Sequence, residues 1–262
     1  MASLANTLGS TPGKDPLIMG IVNVTPDSFS DGGRYFGAGD ALIHARELVE
    51  QGADVIDIGG ESTRPGAVPV SVDQELDRVI PVVEAVAADG VLVSIDTSKP
   101  EVMREAVQAG ACLINDVFAL RQPGALAMAA SLQTSVILMH MQGTPPTMQD
   151  QPSYKDVVME IRSFLTRRIE ACHAAGLDRS NLLVDPGFGF GETREHNCAL
   201  LDRLGQLAEC GAPLVVGVSR KSFVRALASP CEPEDVKEVS ALLALLAVER
   251  GAAIVRVHDV RL

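Results

Sequence analysis

One pattern constrains this chain more than any other: eight short β-branched runs alternate with seven longer amphipathic segments along the chain. Strands are predicted near Leu17–Val24, Val55–Gly59, Val91–Asp96, Cys112–Asp116, Ser135–Met141, Asn181–Pro186, Leu214–Ser219 and Ile254–Asp259. Helical stretches are predicted near 40–51, 72–88, 100–109, 124–133, 155–175, 196–210 and 234–250, and Gly52, Gly90, Gly110, Gly176, Gly211 and Gly251 stand where helix C-caps favour glycine. Strands that are continuous apolar runs belong to parallel sheets buried on both faces. With 47% apolar residues, 3% aromatics and no Trp, such a core must be made of Val, Ile, Leu and Ala. Eight strands separated by seven helices predict a (β/α)8 TIM barrel, with a doubly wound open sheet as the alternative. No linker divides the 262 residues, so residues 17–262 are expected to form a single domain and residues 1–16 a disordered N-terminal extension. No helical segment follows the eighth strand, so the barrel is expected to lack its last closing helix: either the sequence is truncated or a groove, with an uncovered apolar strip, is left open between its first and seventh helices.

Charge and cysteines narrow the function classes. A formal net charge of −12 disfavours a nucleic-acid or anionic-membrane surface, which needs massed Lys and Arg. The five cysteines are scattered and never form C-x-x-C, which points away from zinc and disulfides and towards a reducing cytoplasm. No run approaches the ~20 apolar residues of a membrane span, and the N-terminus lacks the apolar segment of a signal peptide.

A TIM barrel keeps its chemistry at the C-terminal ends of its strands. Those positions carry Asn23, Asp57 with Glu61-Ser-Thr-Arg64, Asp96, Asn115 with Asp116, His140, Asp185, Ser219-Arg-Lys221, and Arg256 with His258. Single members, Asp57 and Asp116 above all, are explained by helix capping, but eight polar strand ends together are not. The ring divides into two zones. Asp96, Asn115, Asp185 and Lys221 mix acceptors with donors and suit a flat polar heterocycle with a guanidine-like edge. Asn23, Arg256 and His258 offer donors to an anion such as phosphate, and Arg256 and His258, two apart on one strand, share a side. Ser222, at the expected start of a helix, reads as an N-cap or an anion ligand. No Ser-His-Asp or Cys-His nucleophile is evident. Any metal is expected to be an oxygen-liganded Mg2+ brought by phosphates. The glycine-rich Pro186–Gly191 segment reads as a loop whose Phe188 or Phe190 covers a ring, with a core plug as the alternative for Phe188. His44, His173 and His196 fall in helices and are read as ordinary surface residues.

The segments MGIVNVTPDSFSDGG, GGESTRPGAVPVS, SIDTSKPEVMREAVQAGA, IND, LMHMQGTPPTMQ, LLVDPGFGFGETREHN, VGVSRKSF and IVRVHDV resemble, in order, the successive motifs of the dihydropteroate synthase family of pterin-binding enzymes. The resemblance implies a transferase of folate biosynthesis that condenses 6-hydroxymethyl-7,8-dihydropterin pyrophosphate with p-aminobenzoate, giving 7,8-dihydropteroate and pyrophosphate through a cationic dihydropterin, and that sulfonamides inhibit. It implies that Asp96, Asn115, Asp185 and Lys221 hold the pterin. Asn23, Arg256 and His258 would hold the pyrophosphate, with Asn23 also a Mg2+ ligand. Thr63, Arg64, Phe29, Phe190 and Ser222 would receive p-aminobenzoate, and Phe29 and Asp31 lie in the first βα loop, which would close over the substrates. The catalytic set so implied is Asp96, Lys221, Arg256, His258 and Asp31. Three departures stand out: Glu192 replaces a common Lys and is expected to weaken anion attraction, Val236–Ser240 replaces R-x-x-G-[ST], and the missing closing helix weakens the family's homodimer as an expectation. The alternatives are a non-catalytic or truncated pterin-binding barrel and a folate-dependent methyltransferase.

Overall fold

A computed structural model describes residues 15–25, 38–63, 67–228 and 232–261. Its eight parallel strands close into a barrel in sequence order, β1 (Leu17–Asn23), β2 (Val55–Gly59), β3 (Leu92–Asp96), β4 (Leu113–Asp116), β5 (Ser135–Met139), β6 (Leu182–Asp185), β7 (Leu214–Val216) and β8 (Ala252–Val257), with β8 pairing back onto β1. Closure excludes the open doubly wound sheet. Helices α1 (Ala38–Glu50), α2 (Val72–Ala88), α3 (Pro100–Gln108), α4 (Ala125–Leu132), α5 (Val157–Ala174) and α6 (Arg194–Asp202) follow β1 to β6 in turn, and α7 (Ser222–Leu227) and α8 (Pro233–Glu249) both lie between β7 and β8. Most of the predicted N-terminal extension lies outside the described residues. Among the described residues no helix is long and apolar enough to cross a membrane.

Local chemistry explains the helix boundaries. The Ser71 hydroxyl accepts the Gln74 N–H while the Gln74 side chain accepts the Ser71 N–H, closing a capping box at the start of α2. Asp156 accepts the N–H groups of Val158 and Met159 to cap α5. The six glycines predicted as C-caps all take positive φ, from 77° to 117°.

One expectation is corrected. The predicted helix over 196–210 breaks after Asp202 into a 3-10 segment, Leu204–Cys210. Gly205 weakens the α-helix there, and the three-residue repeat Leu204, Leu207, Cys210 points every turn of a 3-10 helix into the core. The helix expected to start at Ser222 is the short α7, whose Phe223 and Val224 are buried.

The core has two parts because strand side chains alternate. Outward residues such as Ile56, Ile58, Val93, Ile95, Leu138 and Val184 pack under the helices. Inward residues Met19, Val55, Leu113, Ile137, Leu183, Val215 and Ile254 fill the barrel and seal its lower end. Each such side chain contributes about 1.5–3 kcal/mol by its burial. On α8, Leu242, Leu245 and Leu246 are exposed at helical spacing, and Ile43 is exposed on α1.

Candidate active site

The alternation that builds the apolar floor also places a polar layer on top of it. One inward position further along their strands, Asp57 follows Val55, Asn115 follows Leu113, Asp185 follows Leu183 and Arg256 follows Ile254. The register sets Asp57 beside Ser94 and Asp96 beside Asn115. Asp57, Ser94, Asn115 and Asp185 are buried, and Arg256 and Asp96 keep only 20% and 16% of their side chains exposed.

Arg256 joins the two zones that the sequence had kept apart. Its Nε donates to Asp57 Oδ2 at 2.6 Å and its Nη2 to Asp96 Oδ2 at 2.8 Å. Asn115 Nδ2 donates to the same Asp57 oxygen at 3.1 Å. Burial raises the Asp96 carboxyl to about 7; Arg256 pulls against this, while Asp57, Glu75 and Asp116 add to it. Burial works against the charge of Arg256, but Asp57 and Asp96 outweigh it and hold its pKa above the ordinary value. Asp57 is therefore a site residue that the capping explanation had obscured. Its spacing of two from the inward Val55 was the available signal. Asp116 does not cap a helix but holds the turn after β4: its carboxylate accepts the N–H groups of Phe118 and Leu120, and burial raises it to about 6.

The opposite wall comes from β6, β7 and the loops after them. Asp185 accepts the Gly187 N–H at 2.7 Å; burial raises its pKa, against the pull of Lys221 and that N–H. Burial lowers the Lys221 ammonium to about 8, with Asp185 opposing. Lys221 Nζ donates to the Phe188 carbonyl and lies 4.7 Å from the centroid of the Phe190 ring. Phe188 itself is fully buried and stacks on Phe223, so it is the core plug and Phe190 is the ring at the site. Phe190 and Phe118 pack against Val117, Met139, Met141 and Met148, an apolar flank beside the polar layer.

Gly187 permits this arrangement. Its φ is +76°, and a Cβ would fall 1.9 Å from the His140 carbonyl oxygen. Gly187→Ala is accordingly expected to cost about 3 kcal/mol or more and to lower Tm by roughly 6–12 °C in calorimetry. An unchanged Tm would mean that the loop has another course.

At the β8 end, Ser219 Oγ accepts the His258 backbone N–H at 3.1 Å and lies 3.1 Å from the ring Nδ1, which fixes the imidazole. The turn before α7 is held by Ser240, whose hydroxyl accepts the Arg220 N–H and donates to the Val236 carbonyl, so the last residue of the departing Val236–Ser240 stretch still serves the Ser219–Lys221 turn. Arg220 is occupied by Asp259. Ser222 is not the N-cap: Lys221 is, without a side-chain cap bond, and Ser222 is the exposed first residue of a six-residue helix. Asn23 ends β1 opposite Gly59, half-buried, and Thr63 is half-buried after β2. Arg64, Phe29 and Asp31 lie outside the described residues. His140 and Glu192 leave the ring of site residues. Both are buried, and Glu192 engages Tyr154 and Phe190, so the expected charge reversal facing the anion is instead an internal contact.

This set can hold a planar heterocycle by its polar edge, against buried carboxylates, an amide and an ammonium, with cationic and amide donors beside it. Among the described residues no group of three or more His, Cys, Asp or Glu is placed to hold a metal ion. The hard-donor oxygen offered at the anion zone is the single amide of Asn23, which fits a Mg2+ whose other ligands arrive on a phosphate.

A family model for pterin binding enzymes matches residues 19–258. A dihydropteroate synthase of Escherichia coli (strain K12) is 51% identical over 247 residues, covering 94% of this chain and 87% of that protein. The solved dihydropteroate synthase of Xanthomonas albilineans with 4-aminobenzoic acid aligns with a TM-score of 0.88 at 53% identity, covering 94% of this chain and 88% of that one. That of Yersinia pestis in a sulfonamide drug complex aligns at 0.89 and 51% identity, covering 94% and 90%.

Proposed function

The chain belongs to the pterin-binding enzyme family, within its dihydropteroate synthases, and from that membership we propose how its residues carry out the condensation of 6-hydroxymethyl-7,8-dihydropterin pyrophosphate with p-aminobenzoate. The observation that carries the assignment is the buried polar layer at the C-terminal mouth of the barrel, where Arg256 bridges Asp57 and Asp96 beside Asn115.

Asp96, Asn115, Asp185 and Lys221 bind the pterin by its amide and guanidine-like edge. Asn23, Arg256 and His258 take the diphosphate, with Ser219 orienting the imidazole. The methylene carbon–oxygen bond breaks, and its electron pair leaves with the diphosphate, whose growing negative charge Arg256 and His258 receive. The cationic dihydropterin left behind faces the Asp96 carboxylate. Because Arg256 contacts Asp96, diphosphate that draws the guanidinium away also frees that carboxylate for the cation. The aniline nitrogen of p-aminobenzoate then forms the carbon–nitrogen bond and loses one proton. This attack needs no enzyme nucleophile, in keeping with the lack of a nucleophile–base pair in the proposed set. Asn23 would hold Mg2+ carried on the diphosphate; the metal, when bound, neutralises leaving-group charge. Thr63, Arg64, Phe29, Phe190 and Ser222 receive p-aminobenzoate, and sulfonamides compete for the same place. Free described cysteines accord with a cytoplasmic setting.

Purified protein given Mg2+, the pterin pyrophosphate and p-aminobenzoate is expected to release pyrophosphate and dihydropteroate in equal amounts. Pterin binding without turnover would select the non-catalytic barrel instead, and transfer of a methyl group from a reduced folate would select the methyltransferase.

A further inference from the structure

The loop between β6 and α6 contains a charged group to which the proposed reaction gives no role. Glu192 is wholly buried in its side chain. Burying a carboxylate is costly unless donors surround it. Here two converge from separate segments: Oε2 accepts the Phe190 N–H at 2.7 Å and Oε1 accepts the Tyr154 hydroxyl at 3.2 Å, while His140 Nδ1 lies 3.4 Å from Oε1 without a hydrogen bond to it. The cage is itself braced, since His140 meets Phe164 edge-on with centroids 5.1 Å apart and Tyr154 meets His196 in the same way at 5.1 Å. These contacts tie the connection after β5 to the loop after β6.

What they fix is Phe190. Its N–H is shared between Glu192 and the Gly187 carbonyl, and its own carbonyl accepts the Gln142 N–H at 3.0 Å. With both backbone groups held, its ring stays over Lys221 Nζ, against Val117 and the methionine flank. We propose that Glu192 is a positioning residue, which sets the Phe190 ring as the wall against which the incoming aromatic amine is aligned. The proposal rests on the assignment of Phe190 to p-aminobenzoate made above. A wall displaced by about 1 Å would spoil the approach of the amine while leaving the pterin-binding groups in place.

Steady-state kinetics of variants test this. Glu192→Ala is expected to raise KM for p-aminobenzoate by about tenfold, while KM for the pterin pyrophosphate and kcat stay within about threefold. Glu192→Gln keeps an acceptor for the Phe190 N–H and an amide for Tyr154, so it is expected to restore KM to within about threefold of the unaltered enzyme. Phe190→Leu is expected to reproduce the selective rise, and adding Glu192→Ala to it is expected to change KM little further. Should Glu192→Ala not yield folded protein, Glu192→Ala/Tyr154→Phe, which removes the unpaired hydroxyl as well, must show the same split. Equal changes in both KM values, a fall in kcat at constant KM, or failure of Glu192→Gln to restore binding would each overturn the proposal. Failure of the functional assignment is read separately, as no dihydropteroate from the unaltered protein.

Discussion

Asp96→Asn is expected to lower kcat/KM by about two to three orders of magnitude and, at pH 8, to raise the Tm of the unliganded protein. The two effects have one cause. In the proposed reaction the carboxylate is the anion that faces the developing cation, and losing one preorganised electrostatic partner of this kind costs about 2.7–4 kcal/mol of transition-state stabilisation. The same carboxylate is held charged in a buried layer that already contains Asp57, and its pKa is raised to about 7. A folded-state value above the unfolded one means that the folded protein binds the proton more tightly. Ionisation of Asp96 therefore destabilises the fold increasingly between its ordinary pKa of 3.8 and about 7, and fully above that. Asparagine has no proton to lose, so the Tm gap between the variant and the parent should open as pH rises through this window. Activity of the parent should fall as pH drops below about 7, where Asp96 takes up its proton. A variant with near-normal turnover, or a Tm gap that does not vary with pH, would remove Asp96 from the centre of the site.

Lys221→Ala is expected to reduce kcat/KM by two orders of magnitude or more, with the pterin substrate bearing most of the loss. The ammonium donates to the Phe188 carbonyl, lies over the Phe190 ring and supplies the favourable charge for buried Asp185. Removing it leaves that carboxylate without its main counter-charge. Lys221→Met separates charge from volume: if both variants lose the same activity, the charge is responsible, and if Met restores most of it, packing is. Since burial lowers this lysine to about 8, the parent enzyme should also lose activity as pH rises through about 8, when the ammonium becomes neutral. Retention of pterin affinity in Lys221→Ala would show that the pocket lies elsewhere.

Much of this was legible in the chain. The repeated run of apolar strand, amphipathic helix and glycine cap can close parallel strands only if both sheet faces are buried, and the barrel follows. The polar strand ends followed from the same period: Asp96, Asn115, Asp185 and Arg256 each sit where an inward side chain reaches the mouth. Glu192 was read with the wrong surroundings. A carboxylate in a site loop looks like a charge facing the substrate until Tyr154, almost forty residues earlier in sequence, donates to it. Phe188 and Phe190 were indistinguishable for the same reason, two residues apart in one glycine-rich loop, one of them packed on Phe223 and the other over Lys221.

The sequence by itself determined the architecture and most of the polar groups at the C-terminal end of the barrel, because period and strand-end position are local properties of the chain. Only the tertiary structure decided which of those groups act together. Arg256 and Asp57 are 199 residues apart, yet the β8–β1 closure and the β1–β2 pairing bring them to 2.6 Å. Such a contact depends on ring closure, and so do the raised carboxyl of Asp96 and the joining of the two substrate zones through one guanidinium.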